Sequence, residues 1–211
     1  MARMVLHAVP TGTHTRGSDD DYPWSELVRA SASGDERARR VLVERTLPMV
    51  HRMMSRLVGR RADHDDLVQT VYARCFRSLQ TFRGDAKFTT WLGSICVNVA
   101  STYWQQRKNH ASTDEVPELM LVDGKSPEAQ IAARAGLRIV ARLLSEMTPA
   151  LRSAFVLHVL EGHDIDTVAA MSGTSVGATY KAVERARQQL EAQAAKHPDL
   201  ARFLSEGSVR S

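Results

Sequence analysis

The chain has 211 residues, 43% of them hydrophobic and 25% charged, which is enough to bury two small cores. Its formal charge of +4 is too mild to mark a nucleic-acid binder by itself, so the distribution of charge matters more than its sum. The apolar run from Met4 to Pro10, broken by His7, is too short for a secretory core or a bilayer span, which predicts a cytoplasmic chain with no membrane insertion.

Aromatic residues make up only 6%, β-branched residues do not alternate, and Ala, Arg, Leu and Glu fill the long periodic stretches. The predicted class is all-α. Residues 1–22 are rich in Thr, Gly, Ser and Asp without periodicity and read as a disordered N-terminal tail. A helix is expected from near Trp24, with Leu27, Val28 and Ser31 on one side, until Gly34-Asp35 breaks and restarts the pattern. From Glu36 to Leu57 a stripe close to a 3.6 repeat carries Ala38, Val41, Leu42, Arg45, Met49, Val50, Met53, Met54 and Leu57, and Pro48 should kink or interrupt it.

The next helix carries Leu67, Val68, Val71, Tyr72, Cys75, Phe76 and Leu79 on one stripe. Asp63 is expected to cap it, Asp65 and Asp66 to favour the positive end of its dipole, and Gly84 to supply a left-handed ending. A further helix follows, with Thr89 or Thr90 as its cap and Leu92, Ile95, Cys96 and Val99 as its buried stripe. Trp91 is read as a core anchor, as are Phe82 and Phe88, while Trp104 lies past the stripe and is expected to be exposed. Cys75 and Cys96 read as buried core thiols, with a cross-helix disulfide as the alternative. No Cys-x-x-Cys pair supports a zinc ribbon.

His64-Asp65 with His51 upstream resembles the HD-type metal phosphohydrolase pattern, but no further His or Asp is convincingly placed. The reading is a solvated helix start with ordinary caps, and no metal, cofactor or catalytic residue is assigned.

Residues 110–128 are acidic, contain Pro117 and Gly124, and read as a flexible linker. Helical pattern resumes with Ile131, Ala135, Ile139, Val140, Leu143, Leu144 and Met147. Thr148-Pro149 opens another helix, which Glu161-Gly162 stops, and Asp164 caps a short one closed by Gly173. Ser175 caps the last helix, whose inner face is read as Val176, Thr179, Tyr180, Val183 and Leu190. Short helix, glycine turn and basic helix form a helix-turn-helix signature.

Two stretches carry a family resemblance. Asp65, Asp66, Leu67, Val68, Gln69, Phe82, Arg83, Phe88, Thr89, Thr90, Trp91, Leu92 and Asn98 match, in order and spacing, region 2 of bacterial sigma factors of the extracytoplasmic-function (ECF) group. Glu161, Gly162, Ala169, Gly173, Ser175, Val176, Gly177, Arg185, Ala186 and Arg187 resemble region 4. Asp164 stands where the family often has a capping serine, Thr102 and Gln105 replace a common Asp and Arg, and Tyr180 and Ala182 replace commoner Lys and Arg.

The resemblance implies two helical domains, residues 23–109 and 129–196, with a linker over 110–128 and a C-terminal tail over 197–211. It also implies a function, binding of core RNA polymerase and recognition and melting of promoters. On that reading Asp65, Asp66, Leu67 and Gln69 meet the polymerase β′ coiled coil, while the second domain meets the β flap. The −10 element falls to Phe82, Arg83, Lys87, Asn98, Ser101, Thr102, Gln105, Arg107 and Lys108. The −35 element falls to Ser175, Gly177, Ala178, Lys181, Ala182 and Arg185. The linker is expected to thread toward the polymerase cleft, and an anti-sigma factor is a further candidate partner. The rival reading is a helix-turn-helix regulator that binds duplex DNA without polymerase.

Overall fold

A computed structural model of the chain describes residues 24–59, 63–109 and 139–194, the side chains of 107–109 and 194 excepted. The two tails, the 110–128 linker and the stripe positions Ile131 and Ala135 lie outside these residues.

Every element among the described residues is helical. The first body contains α1 (Trp24–Ala32), α2 (Glu36–Val58), α3 (His64–Ser78) and α4 (Phe88–Asn109). The second contains α5 (helical over 139–146), α6 (Pro149–Phe155), α7 (Ile165–Ser172) and α8 (Val176–Ala194). A π-helical turn, Val156–Leu160, continues α6.

Most of the expected stripe residues are sealed, whereas Arg45 is exposed and Leu27, Val41, Met49, Leu67 and Phe76 are half-buried. The sealed ones include Val28 on α1, Leu42, Val50, Met53, Met54 and Leu57 on α2, Val68, Val71 and Cys75 on α3, and Leu92, Ile95, Cys96 and Val99 on α4. Burial of these side chains contributes roughly 1.5–3 kcal/mol each relative to exposure. α2 runs unbroken through Pro48, because Leu42 before it and Val50 after it are both fully buried, so packing overrides the lost backbone donor.

Several caps are those expected. Asp35 accepts from the amides of Arg37 and Ala38, Thr148 from Leu151, Asp164 from Thr167 and Ser175 from Ala178. Gly173 adopts a left-handed conformation at the end of α7. Asp63 makes no capping hydrogen bond, and α4 begins at Phe88, so Thr89 and Thr90 sit inside its first turn. α3 passes into a 3₁₀ turn, Leu79–Thr81, and Gly84 takes its positive φ of 80° in the loop beyond.

The two bodies pack together, and their buried apolar residues form one continuous cluster. Residues 171 and 93 meet closely: a Cβ added to Gly93 would lie 2.8 Å from the terminal methyl of Met171, so α7 sits against α4 where α4 has no side chain. Glu161, whose side chain is 1% exposed, ion-pairs with Arg52 at 3.2 Å and Arg56 at 2.7 Å, tying the end of the π turn to α2.

Candidate polymerase and promoter surfaces

α3 presents opposite faces to core and solvent. Val68, Val71, Tyr72 and Cys75 face inward, whereas Asp65, Asp66 and Gln69 are exposed and Leu67 is half-buried beside them. The two carboxylates occupy the first turn, where the positive end of the helix dipole favours them.

The loop before α4 exposes Arg83 and Lys87. Phe82 is half-buried in a ring cluster, edge-on to Phe88 at 5.7 Å and 5.2 Å from Trp91, with Trp24 5.3 Å from Phe88. The cluster fixes the corner and bears out Trp91 as a packing residue. Asn98 and Gln105 are exposed on α4, with Ser101 and Thr102 half-exposed. The Thr102 hydroxyl donates to the Asn98 carbonyl at 2.9 Å, so that group is partly committed within the helix. Arg107 and Lys108 lie on α4 with side chains outside the described set.

Trp104 is buried, correcting the expectation that it is exposed. Its indole N–H donates to the Leu57 carbonyl at 3.1 Å, and Arg152 of the second body covers its ring.

On α8, Ser175, Gly177, Ala178, Lys181 and Arg185 are exposed and Ala182 is half-buried. The inner face is Thr179, Val183, Ala186 and Leu190. Val176 and Tyr180, expected on that face, are 48% and 58% exposed and join the outer one. Tyr180 is thus a candidate contact that the stripe reading missed. The expected stripe was drawn too wide: Val176 and Tyr180 lie on one flank of the row Thr179, Val183, Ala186 and Leu190 that is sealed. The Asp164 cap that orients α7 has its carboxyl held below the usual value, first by the Thr167 amide and then by the Thr167 hydroxyl.

The start of α3 also departs from expectation. His64 is buried rather than solvated, and its Nε2 lies 3.3 Å from His51 Nδ1 on α2. Ligand atoms of His51, His64 and Asp65 all lie within 4.8 Å of one another, so the fold brings His51 on α2 up to the adjacent pair at the start of α3.

Two helical bodies, one with an acidic-polar front and a corner leading into a polar helix, the other ending in a helix-turn-helix, have the design of a two-domain promoter-recognition factor. The Sigma-70 region 2 family model matches residues 42–110, and the Sigma-70, region 4 model matches residues 137–190. The chain belongs to the ECF group of the sigma-70 family of RNA polymerase sigma factors. It is 30% identical over 174 residues to the ECF RNA polymerase sigma-E factor of Haemophilus influenzae, covering 78% of this chain and 92% of that one. The Escherichia coli sigma-E factor is 29% identical over the same length, covering 78% and 91%.

Among solved structures, CnrH in complex with the cytosolic domain of CnrY matches with a TM-score of 0.59 and 26% identity, over 82% of this chain and 97% of that chain. The sigma factor RpoE of Bartonella quintana, solved with the anti-sigma factor NepR, shares the fold, with a TM-score of 0.56 and 20% identity over 72% and 94%. As an ECF sigma factor the chain works with core RNA polymerase at promoters. A regulator acting without polymerase is not favoured, since region 2 has no role in it. No helix among the described residues is long and apolar enough to cross a membrane.

Proposed function

We propose that this sigma factor divides its work among three surfaces. Asp65, Asp66 and Gln69, with Leu67 at their edge, dock on the β′ coiled coil of core polymerase. Arg83, Lys87, Asn98, Ser101, Thr102 and Gln105, continued by Arg107 and Lys108, meet the −10 element, where the Phe82 corner holds a base drawn from the stack. Ser175, Gly177, Ala178, Lys181, Ala182 and Arg185 meet the −35 element, and the second body meets the β flap. Residues 23–109 and 129–196 act as the two domains, with 110–128 as the tether between them. No side chain acts as a catalyst, and the setting is the cytoplasm.

The observation that supports this most is the exposure of Asp65, Asp66 and Gln69 on a helix whose opposite face is sealed by Val68, Val71 and Cys75. Nothing in the core requires acids there. Mechanistically, two linked bodies engage two DNA elements, so the second contact is intramolecular and the combined grip stabilises an opened segment. Each bidentate base contact contributes roughly 1–3 kcal/mol of discrimination. Gly177 and Ala178 leave room for close approach to the groove, while Lys181 and Arg185 supply donors.

An anti-sigma partner follows by likeness to the relatives solved in complexes. The test is to add the purified chain to sigma-free core polymerase on a promoter library and score specific transcript starts. The double variant Asp66→Arg, Gln69→Ala should lose polymerase binding while keeping its helical spectrum. Undiminished binding by that variant removes the docking surface.

A further inference from the structure

The gathering of His51, His64 and Asp65 has no part in promoter recognition, yet its geometry is that of a ligand set. His51 projects from α2 and His64 and Asp65 from the first turn of α3, so the cluster bridges two elements of the first body. Two nitrogen ligands ~2.0–2.1 Å from one tetrahedral ion stand about 3.3 Å apart. The His51 Nδ1 to His64 Nε2 separation is 3.3 Å. The rings are tilted by 39° with centroids 5.3 Å apart, so they are not stacked face to face.

Burial is graded across the cluster: His64 is 8% exposed, His51 is half-buried and Asp65 is exposed. The Ser55 hydroxyl lies 3.4 Å from His64 Nε2, and one carboxylate oxygen of neighbouring Asp63 is buried with no hydrogen bond from the described residues. A cation therefore finds two imidazoles fixed by packing, a carboxylate on the solvent side, and a second negative group close along the chain.

We propose that His51, His64 and Asp65 form a binding site for a divalent transition-metal ion of the Zn²⁺ type, with the remaining coordination position open to water. Two imidazoles and one carboxylate favour zinc, cobalt or nickel over magnesium or calcium, which prefer all-oxygen sites. To bind the ion, the ring that carries its hydrogen on the facing nitrogen takes the tautomer with the hydrogen on its other nitrogen, so that His51 Nδ1 and His64 Nε2 both turn a lone pair to the metal. A consequence resting on the docking reading above is that the ion draws Asp65 away from the polymerase-facing front, so metal occupancy opposes polymerase binding.

The experiment titrates the full-length apo protein with Zn²⁺ against a chromogenic competitor, and with Co²⁺ followed by visible absorption. Stoichiometric binding is expected, with tetrahedral or five-coordinate Co²⁺ bands, and His51→Ala and Asp65→Asn each weakening affinity at least tenfold. His64→Ala empties a buried position and is informative only beside these two, whose positions are half-buried and exposed. Absence of stoichiometric binding, or equal binding by the parent and both of those variants, overturns the site. A separate arm measures association with core polymerase with and without Zn²⁺. If the parent and His51→Ala respond alike while the parent binds metal, the link to docking fails and the site stands.

Discussion

The guanidinium of Arg152 lies over the ring of Trp104 at 3.7 Å, so the second helical body is seated on the last turns of α4. Both side chains are buried, and each is held by further bonds: Trp104 donates to the Leu57 carbonyl, and Arg152 donates to the carbonyls of Leu144, Ser145 and Met147. A cation over indole contributes about 2 kcal/mol or more when desolvated. Trp104→Ala should lower unfolding stability by roughly 3–5 kcal/mol, because it removes a large buried ring and the face against which the guanidinium lies. Trp104→Phe keeps a ring under Arg152 and should lose less. Urea unfolding of the two variants measures the difference.

Glu161 is the second tie between the bodies. Its carboxylate is buried against Arg52 and Arg56, so removing it leaves two cations facing a closed interface. Breaking a buried pair from one side costs about 3–5 kcal/mol, and the 38% exposure of the Arg52 side chain brings this site toward the low end. Glu161→Ala should therefore loosen α6 and α7 from α2 and α4. Solution scattering should show a larger radius of gyration, and Gly93→Leu, which forces a side chain into Met171, should show the same expansion without touching any charge. An unchanged radius in both variants would mean that these contacts do not hold the bodies together.

These two ties were the least legible part of the sequence, and the reason is physical. Helical stripes repeat every 3.6 residues and are local, so the buried rows of α2, α3 and α4 could be read directly, as could the caps at Asp35, Thr148, Asp164 and Ser175. Trp104 is buried between the Leu57 carbonyl on α2 and Arg152 in the second body, both distant along the chain, and no local pattern records those contacts. Asp63 makes no cap and His64 is buried, differences that the sequence does not announce because a helix start looks the same whether or not another helix covers it. On α8, Val176 and Tyr180 shared the spacing of a stripe, but Thr179, Val183, Ala186 and Leu190 were the stripe that packing selected. The surfaces proposed for polymerase and DNA were legible through the family pattern rather than through composition.

The exposed row on α8 gives a prediction that separates charge from readout. Lys181→Ala and Arg185→Ala should each weaken duplex binding almost evenly across sequences and reduce the slope of log affinity against log salt by about one. Tyr180→Ala should instead change which sequences are enriched from a randomised duplex pool, because its ring is 58% exposed on the side of α8 proposed to face the groove. The full chain, bound to core polymerase, is the material for both measurements. A salt slope unchanged in both charge variants would take Lys181 and Arg185 off the phosphate backbone.

The buried thiols predict an alkaline limit to stability. Burial pushes Cys75 and Cys96 up to about 12 from 9.0, and it pushes Tyr72 up to about 12 from 10.0 against the opposing hydrogen bond from Thr46. All three are acids that the folded state keeps protonated, so the unfolded chain releases these protons first as pH rises. Their contribution is therefore complete below about 9 and is lost progressively as pH climbs toward 12. Denaturation midpoints should be unaffected by these groups near neutrality and fall above that value, and Cys75→Ala with Cys96→Ala should delay the fall until Tyr72 governs it. The same protonation keeps both sulfurs poor nucleophiles, so Ellman's reagent should modify the native protein no faster than it unfolds. Rapid labelling of either cysteine in folded protein at neutral pH would contradict the sealed packing of α3 against α4.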